Sequence, residues 1–212
     1  MFKSLIIVDD VYDDPEAMRE AALRLDYPLL VAGANYAGRN STAKLMLPDT
    51  DRMLSWVVGE QLVGVAERAH GAWRLTLGGD TGRYGVHVDV GVVWSGVLYL
   101  NRPEQCQGGT SFFRHRRTGT DHAPTTAADL IRCGARTAQE ALDRILGKDS
   151  NDPAQWETTV TVPMQFNRFV LFRPLLWHGA GDGFGDSTAS GRLVQLFFLR
   201  SASRIDAPPR SA

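Results

Sequence analysis

Residues 72–101 read AWRLTLGGDTGRYGVHVDVGVVWSGVLYLN, and the change of pattern that begins at Ala72 decides the fold. Trp73, Leu75 and Leu77 alternate with Arg74 and Thr76, the period of two that a half-buried strand requires. Gly78-Gly79-Asp80 makes a turn, and two more strand-like runs follow, Tyr84–Asp89 and Val92–Asn101. Runs of the same kind recur at Gly109–Phe113, Glu157–Val162, Phe166–Phe172 and Gly191–Leu199. About seven short strands separated by Gly, Pro and Asp turns predict a sandwich or jelly-roll barrel.

Upstream the period is helical. Ser4–Val8 reads as a short strand, after which Asp13 or Asp14 caps a helix with Pro15 and Glu16 in its first turn. Met18, Ala21, Ala22 and Leu25 give that helix one apolar face. A glycine-containing loop, Gly33–Ser41, follows. Residues 49–70 read as a second helix, with Met53, Leu54, Val57, Val58, Leu62 and Val65 on its buried side and His70 at its end. A helical insertion at 124–147 interrupts the strands; Ala127, Leu130, Ile131, Ala138, Ala141, Leu142 and Ile145 keep its spacing, with Gly147 as the stop. The expected organisation is one domain over 1–200: helical support at 1–71, a jelly-roll core at 72–200, and a tail at 201–212 whose end frays.

Composition narrows the function. The chain has 212 residues, 23 Lys and Arg against 24 Asp and Glu, and a net charge of -1, which argues against a nucleic-acid surface. Cys106 and Cys133 form no CxxC, so neither a redox motif nor a zinc cluster is on offer, and two plain thiols fit a reducing cytoplasm. The first apolar run, Leu5–Val8, ends at Asp9-Asp10, far short of a secretory signal, and no run is long enough to span a membrane. The expectation is a cytoplasmic protein with neither nucleic acid nor membrane as partner.

His87-Val88-Asp89 is the first chemical anchor. Residues i and i+2 of a strand face the same side, which puts an imidazole and a carboxylate together. His178 stands just before the last strand. Two imidazoles and one carboxylate on one face are the donor set of non-haem Fe(II), with positions left open opposite. An HxD triplet alone is weak, and its context between strands is what raises it. Arg192 is the second anchor. It alternates with Val194, Leu196 and Phe198 on one face of a strand that is apolar on both faces. A guanidinium there needs an anionic partner, either a bound carboxylate or a protein Asp or Glu.

The pieces YGVHVD, VLYLNRPEQCQGGTSFF, FNRFVLFRPLLWHGA and GRLVQLFFL, taken in order over about residues 72–200, resemble the Fe(II)/2-oxoglutarate-dependent dioxygenases of the prolyl-hydroxylase-like group. The opening VDDVYDDPEAMREAALRLDY is similar to the helical lead-in of an uncharacterised bacterial branch of that superfamily. The resemblance implies a mainly β protein with a helical annex, its core a double-stranded β-helix (a cupin-like jelly-roll barrel). It implies that His87, Asp89 and His178 hold Fe(II), and that Arg192, aided by the Tyr99 hydroxyl, binds the distal carboxylate of the cosubstrate 2-oxoglutarate. With O2 as oxidant it implies hydroxylation of an unactivated C–H, with release of succinate and CO2. The substrate class stays open among a free amino acid, a carrier-bound acyl group and a peptide side chain, together an amino-acid-like set.

Two departures from the group stand out. The link from His178 to Arg192 is long, with the excess in Gly181–Gly191, which reads as a surface loop. The tyrosine often found upstream of HxD is missing. Tyr84, Asn101, Asn167 and Gln195 are therefore the candidates for the remaining cosubstrate contacts. Asp89 is retained where related halogenases lack the carboxylate, which favours hydroxylation. Arg114–Arg117 reads as a solvated basic loop or as a contact for an anionic substrate group. Arg39 is expected at the barrel mouth, and the helical insertion and the Gly33–Ser41 loop are expected as lids. The competing readings are a cupin-like metalloenzyme that works without 2-oxoglutarate, and a non-catalytic barrel.

Overall fold

The computed structural model describes residues 2–29 and 33–202; the expected tail at 201–212 lies outside the described residues from 203 onward. Two antiparallel sheets make the core. The larger takes β1 (Leu5–Val8), β2 (Arg39–Lys44), β3 (Leu62–Gly64), β4 (Ala72–Thr76), β5 (Trp94–Tyr99), β8 (Phe169–Phe172) and β10 (Arg192–Ser201), in the order β1-β8-β5-β10-β4-β2 with β3 also on β10. The smaller takes β6 (Gly109–His115), β7 (Trp156–Pro163) and β9 (His178–Gly179), in the order β7-β6-β9. The fold is the expected double-stranded β-helix jelly roll. Tyr99, Val170, Phe172, Val194 and Leu196 from the larger sheet pack against Phe112 and Val162 from the smaller one.

Strand parity organises everything outside that interior. Trp73, Leu98, Phe169, Leu171, Leu193, Phe197 and Leu199 point to the opposite face of the larger sheet. Two helices cover that face: α1 (Pro15–Leu23) contributes Ala22 and α2 (Thr50–Val58) contributes Leu54 and Val58. Asp14 caps α1 as expected, its carboxylate accepting from Ala17 N at 3.0 Å.

The single helix expected over 49–70 is shorter. Gly59 adopts φ +78°, a left-handed conformation that ends α2, and its N–H bonds Ser55 O at 2.8 Å. The Ser55 hydroxyl then accepts from Leu62 N at 3.0 Å, and residues 62–64 turn into a strand on the end of β10. Apolar residues that fit a helical period were serving a helix and then a strand. His70 therefore ends no helix: its Nε2 meets Asp51 Oδ1 at 3.0 Å and its Nδ1 accepts from Phe198 N at 3.1 Å.

Four other expectations change. Arg39 and the end of the expected loop belong to strand β2, paired with β4. Tyr84–Asp89 is not a ladder strand. It crosses the end of the barrel with its N–H groups given to three different segments: Val86 to Ser150 O, His87 to His178 O and Asp89 to Pro174 O, at 2.9–3.0 Å. The insertion is two helices, α3 (Ala127–Cys133) and α4 (Ala138–Asp149), divided at Gly134 with φ +63°; α4 runs through Gly147, and Ile131 is exposed. The basic run is no solvated loop at His115, which is wholly buried and holds Asp149 Oδ2 at 3.1 Å from Nε2, with Arg117 reaching the same oxygen at 3.3 Å. Among the described residues no helix is long and apolar enough to cross a membrane.

Candidate active site

The interior between the two sheets opens into a cavity of about 730 Å³. His87 and Asp89 reach it from the crossing segment and His178 from β9. The main chain fixes their spacing: His87 and His178 exchange two backbone hydrogen bonds, 2.9 and 3.0 Å. One ligand atom from each of the three lies within 4.8 Å of the others. Each imidazole is oriented by a backbone carbonyl. His178 Nδ1 donates to Leu176 O at 2.8 Å and His87 Nδ1 donates to Gly85 O at 3.3 Å, which leaves both Nε2 lone pairs for a ligand. Asp89 Oδ2 accepts from the Ser95 hydroxyl at 2.7 Å and lies 3.4 Å from His178 Nε2.

The electrostatics suit a cation. Burial, reinforced by the neighbouring His178, pushes His87 down to about 3, so its imidazole is neutral. Burial pushes Asp89 up, but the neighbouring imidazoles of His178 and His87 and the Ser95 hydroxyl outweigh it and hold the carboxyl well below its usual range. The trio is thus a carboxylate and two imidazoles, the donor set that binds a first-row divalent metal. The residues fit such an ion, and His87, Asp89 and His178 would hold it.

Arg192 lines the same cavity and is 3 % exposed. Its Nε and Nη2 have no hydrogen-bond partner among the described residues, and no carboxylate stands within ion-pair distance. That answers the question the sequence left open: among the described residues no Asp or Glu neutralises it. Burial pushes its guanidinium down, with Tyr99 opposing. The guanidinium lies 5.8 Å from the centre of the Tyr99 ring. The Tyr99 hydroxyl bonds Thr110 Oγ1 at 2.6 Å, and it is Thr110 that lines the cavity.

Of the other candidates, Tyr84 lines the cavity, with Arg83 stacked 5.2 Å from its ring centre. Asn101 and Gln195 do not belong in the site. Asn101 spans Gly191 O and Leu193 N, both at 2.8 Å. Gln195 sits one residue out of phase with Arg192, so it points to the helix-covered face, where it accepts from the Tyr12 hydroxyl and donates to Leu45 O. Asn167 pairs both ways with the Tyr12 backbone at 2.9 Å. Arg39 lies outside the cavity lining, whereas Tyr36 and Ala37 of the same loop are in it. The insertion helices stand back, and Ser150, Asn151 and Pro153, just past α4, line the cavity instead.

Sequence reasoning missed Arg74, Tyr36, Ser95 and Thr110. Arg74 and Thr76 had a signal, the same alternation against Trp73 and Leu75 that singled out Arg192. Tyr36 had none, because it reaches the site from a loop.

The fold is shared with solved structures of 2-oxoglutarate-dependent enzymes. The epimerase SnoN of nogalamycin biosynthesis, described as non-haem and α-ketoglutarate dependent, shares the fold with a TM-score of 0.54 at 17% identity, over 99% of this chain and 87% of SnoN. HygX from Streptomyces hygroscopicus, solved with nickel, 2-oxoglutarate and hygromycin B, gives 0.50 at 15% identity, over 93% of this chain and 83% of its own. SnoK, an α-ketoglutarate-dependent carbocyclase of nogalamycin biosynthesis, gives 0.50 at 13% identity, over 94% and 81%. No curated protein matches the sequence. The chain belongs to a family of unknown function, DUF6445, whose model matches residues 88–199.

Proposed function

We propose that this protein is an Fe(II)- and 2-oxoglutarate-dependent oxygenase that hydroxylates an unactivated C–H of an amino-acid-like small molecule, carrier-bound group or peptide. The observation that carries the reading is Arg192. A buried guanidinium with two unpartnered nitrogens, in the same cavity as a carboxylate and two imidazoles, calls for a dianion that spans from cation to metal. 2-Oxoglutarate is such a dianion, and its keto group adds a second metal donor. A metalloenzyme that works without a cosubstrate would leave Arg192 unexplained.

When bound, Fe(II) would activate O2, the oxidant, with two electrons drawn from 2-oxoglutarate as it becomes succinate and CO2 and two from the substrate C–H. The chain's own residues do the rest. His87, Asp89 and His178 would hold the ion. Arg192 takes the distal carboxylate in a bidentate grip, with the Thr110–Tyr99 hydroxyl pair beside it. Phe172, Val194, Leu196 and Phe198 line the cavity with apolar surface that excludes water. The intact Asp89 keeps a third protein ligand at the metal, which supports hydroxylation.

The test is direct. Purified protein with Fe(II) should convert 2-oxoglutarate to succinate, slowly without its substrate. His87→Ala and Asp89→Ala should abolish this, and Arg192→Ala should chiefly raise the KM for 2-oxoglutarate. Turnover unchanged in the two ligand variants would sink the assignment.

A further inference from the structure

The cavity holds a second guanidinium that the chemistry above does not use. Arg74 stands on β4, in register with Val194 of β10 and facing the same interior as Arg192. Its one side-chain hydrogen bond among the described residues runs from Nε to Asn40 Oδ1 at 2.7 Å, and no carboxylate lies within ion-pair distance. The Tyr36 ring fixes its position. The guanidinium lies 5.6 Å from that ring's centre, and the ring in turn packs 4.4 Å from the His87 imidazole. Tyr36 is thus a spacer that holds a cation beside the metal ligands without letting it touch them.

Charge counting gives Arg74 a role. A divalent ion held by Asp89 keeps one net positive charge, and Arg192 adds another. The two carboxylates of 2-oxoglutarate cancel both. Of the other charges in the lining, Asp80 accepts from Leu77 N at 2.8 Å and Asp182 is exposed, so neither pairs with Arg74, which is the cation left over beside the metal ligands. Burial, and the repulsion of Arg192, push it down to about 10, so it is still charged at neutral pH. Arg74 is half-buried and has no anion of its own among the described residues, so an anion supplied by the ligand would complete it.

We propose that Arg74, positioned by Asn40 and Tyr36, binds a carboxylate of the substrate, so that the substrate is an organic acid held by its carboxylate beside the metal ligands. This rests on the 2-oxoglutarate reading, since the charge count assigns Arg192 and the metal to the cosubstrate. The Tyr36 hydroxyl, which has no hydrogen-bond partner among the described residues, is a second donor for the same group.

The probes are acetate, benzoate and hexanoate, each against its carboxamide, titrated by calorimetry into protein loaded with Ni(II) and 2-oxoglutarate. In the wild type at least one acid should bind about tenfold or more tighter than its amide, the margin of a charge-assisted bond. Arg74→Gln should erase that preference and Arg74→Lys should keep part of it. Both variants should keep 2-oxoglutarate binding within about tenfold of wild type, the allowance for two cations that feel each other's charge, which also shows them folded. Absence of any acid preference in the wild type overturns the proposal, as does a preference that survives in Arg74→Gln. So does a loss of 2-oxoglutarate affinity of more than about tenfold in Arg74→Gln, which would give Arg74 to the cosubstrate. A wild type that takes Ni(II) but no 2-oxoglutarate overturns the cosubstrate reading itself, a different failure seen in a different titration.

Discussion

Replacing Arg192 by Met should make the ligand-free protein more stable while destroying its response to 2-oxoglutarate. Two of the guanidinium nitrogens are buried without a partner. An unsatisfied buried donor costs about 1–3 kcal/mol. Methionine keeps the apolar stem between Val194 and its neighbours and removes both orphans. Against this stands the lost contact of a desolvated cation with the Tyr99 ring, worth about 2 kcal/mol. The net gain is about 2 kcal/mol, which for a chain of this size raises Tm by roughly 4–8 °C. Saturating 2-oxoglutarate at about a hundred times Kd should add about 2.7 kcal/mol to Ni(II)-loaded wild type and nothing to the variant. Differential scanning fluorimetry of both proteins, with and without 2-oxoglutarate, reads all four values. A ligand-free Arg192→Met that melts below wild type would refute the account of a strained, waiting cation, and a full ligand shift in the variant would refute its role.

Three further outcomes follow from other parts of the molecule. Ser95→Ala removes the hydroxyl that orients Asp89 and should weaken Ni(II) binding by roughly tenfold or more with the fold unchanged, measured by calorimetry; equal affinity would show the bond idle. Gly59→Ala forces a side chain into a left-handed position at the end of α2 and should cost about 1 kcal/mol in urea unfolding, with no change in metal binding. Burial holds His115 below its ordinary value of 6.5 despite the Asp149 bond. The unfolded chain therefore takes up the proton first, so the stability contributed by the neutral imidazole is complete above about pH 6.5 and is lost as pH falls below it. The urea midpoint should drop between pH 7 and 5 more steeply in wild type than in His115→Gln; parallel slopes would remove His115 from the account.

The strands of the larger sheet were legible because each is covered on both faces by different things. β10 alternates Arg192, Val194, Leu196 and Phe198 toward the cavity with Leu193, Phe197 and Leu199 toward the helices, and that period survives in sequence. The same rule excluded Gln195 and pointed to Arg74, so those two readings failed in applying the period and not for want of signal. The second helix failed for a different reason. Val57, Val58 and Leu62 satisfy a helical stripe equally well whether or not the chain reverses at Gly59, and the reversal is decided by pairing with residues 199–201, far away in sequence. The division at Gly134 did carry a local signal, a glycine stop followed by Thr137 as a cap with Glu140 three residues on, whereas Tyr36 reaches the site from a loop and has none.

The backbone exchange between His87 and His178 bears on how the protein handles its ion. Two hydrogen bonds and the flanking anchors at Ser150 and Pro174 mount the ligands on the main chain, so the gap between them is set by the chain and not by what fills it. An ion would then enter a finished socket, much as a bulb enters a lamp, and its removal would leave the socket standing. Chelation and reloading should be cycles the protein survives, read as full recovery of Ni(II) affinity after removal of the metal with EDTA.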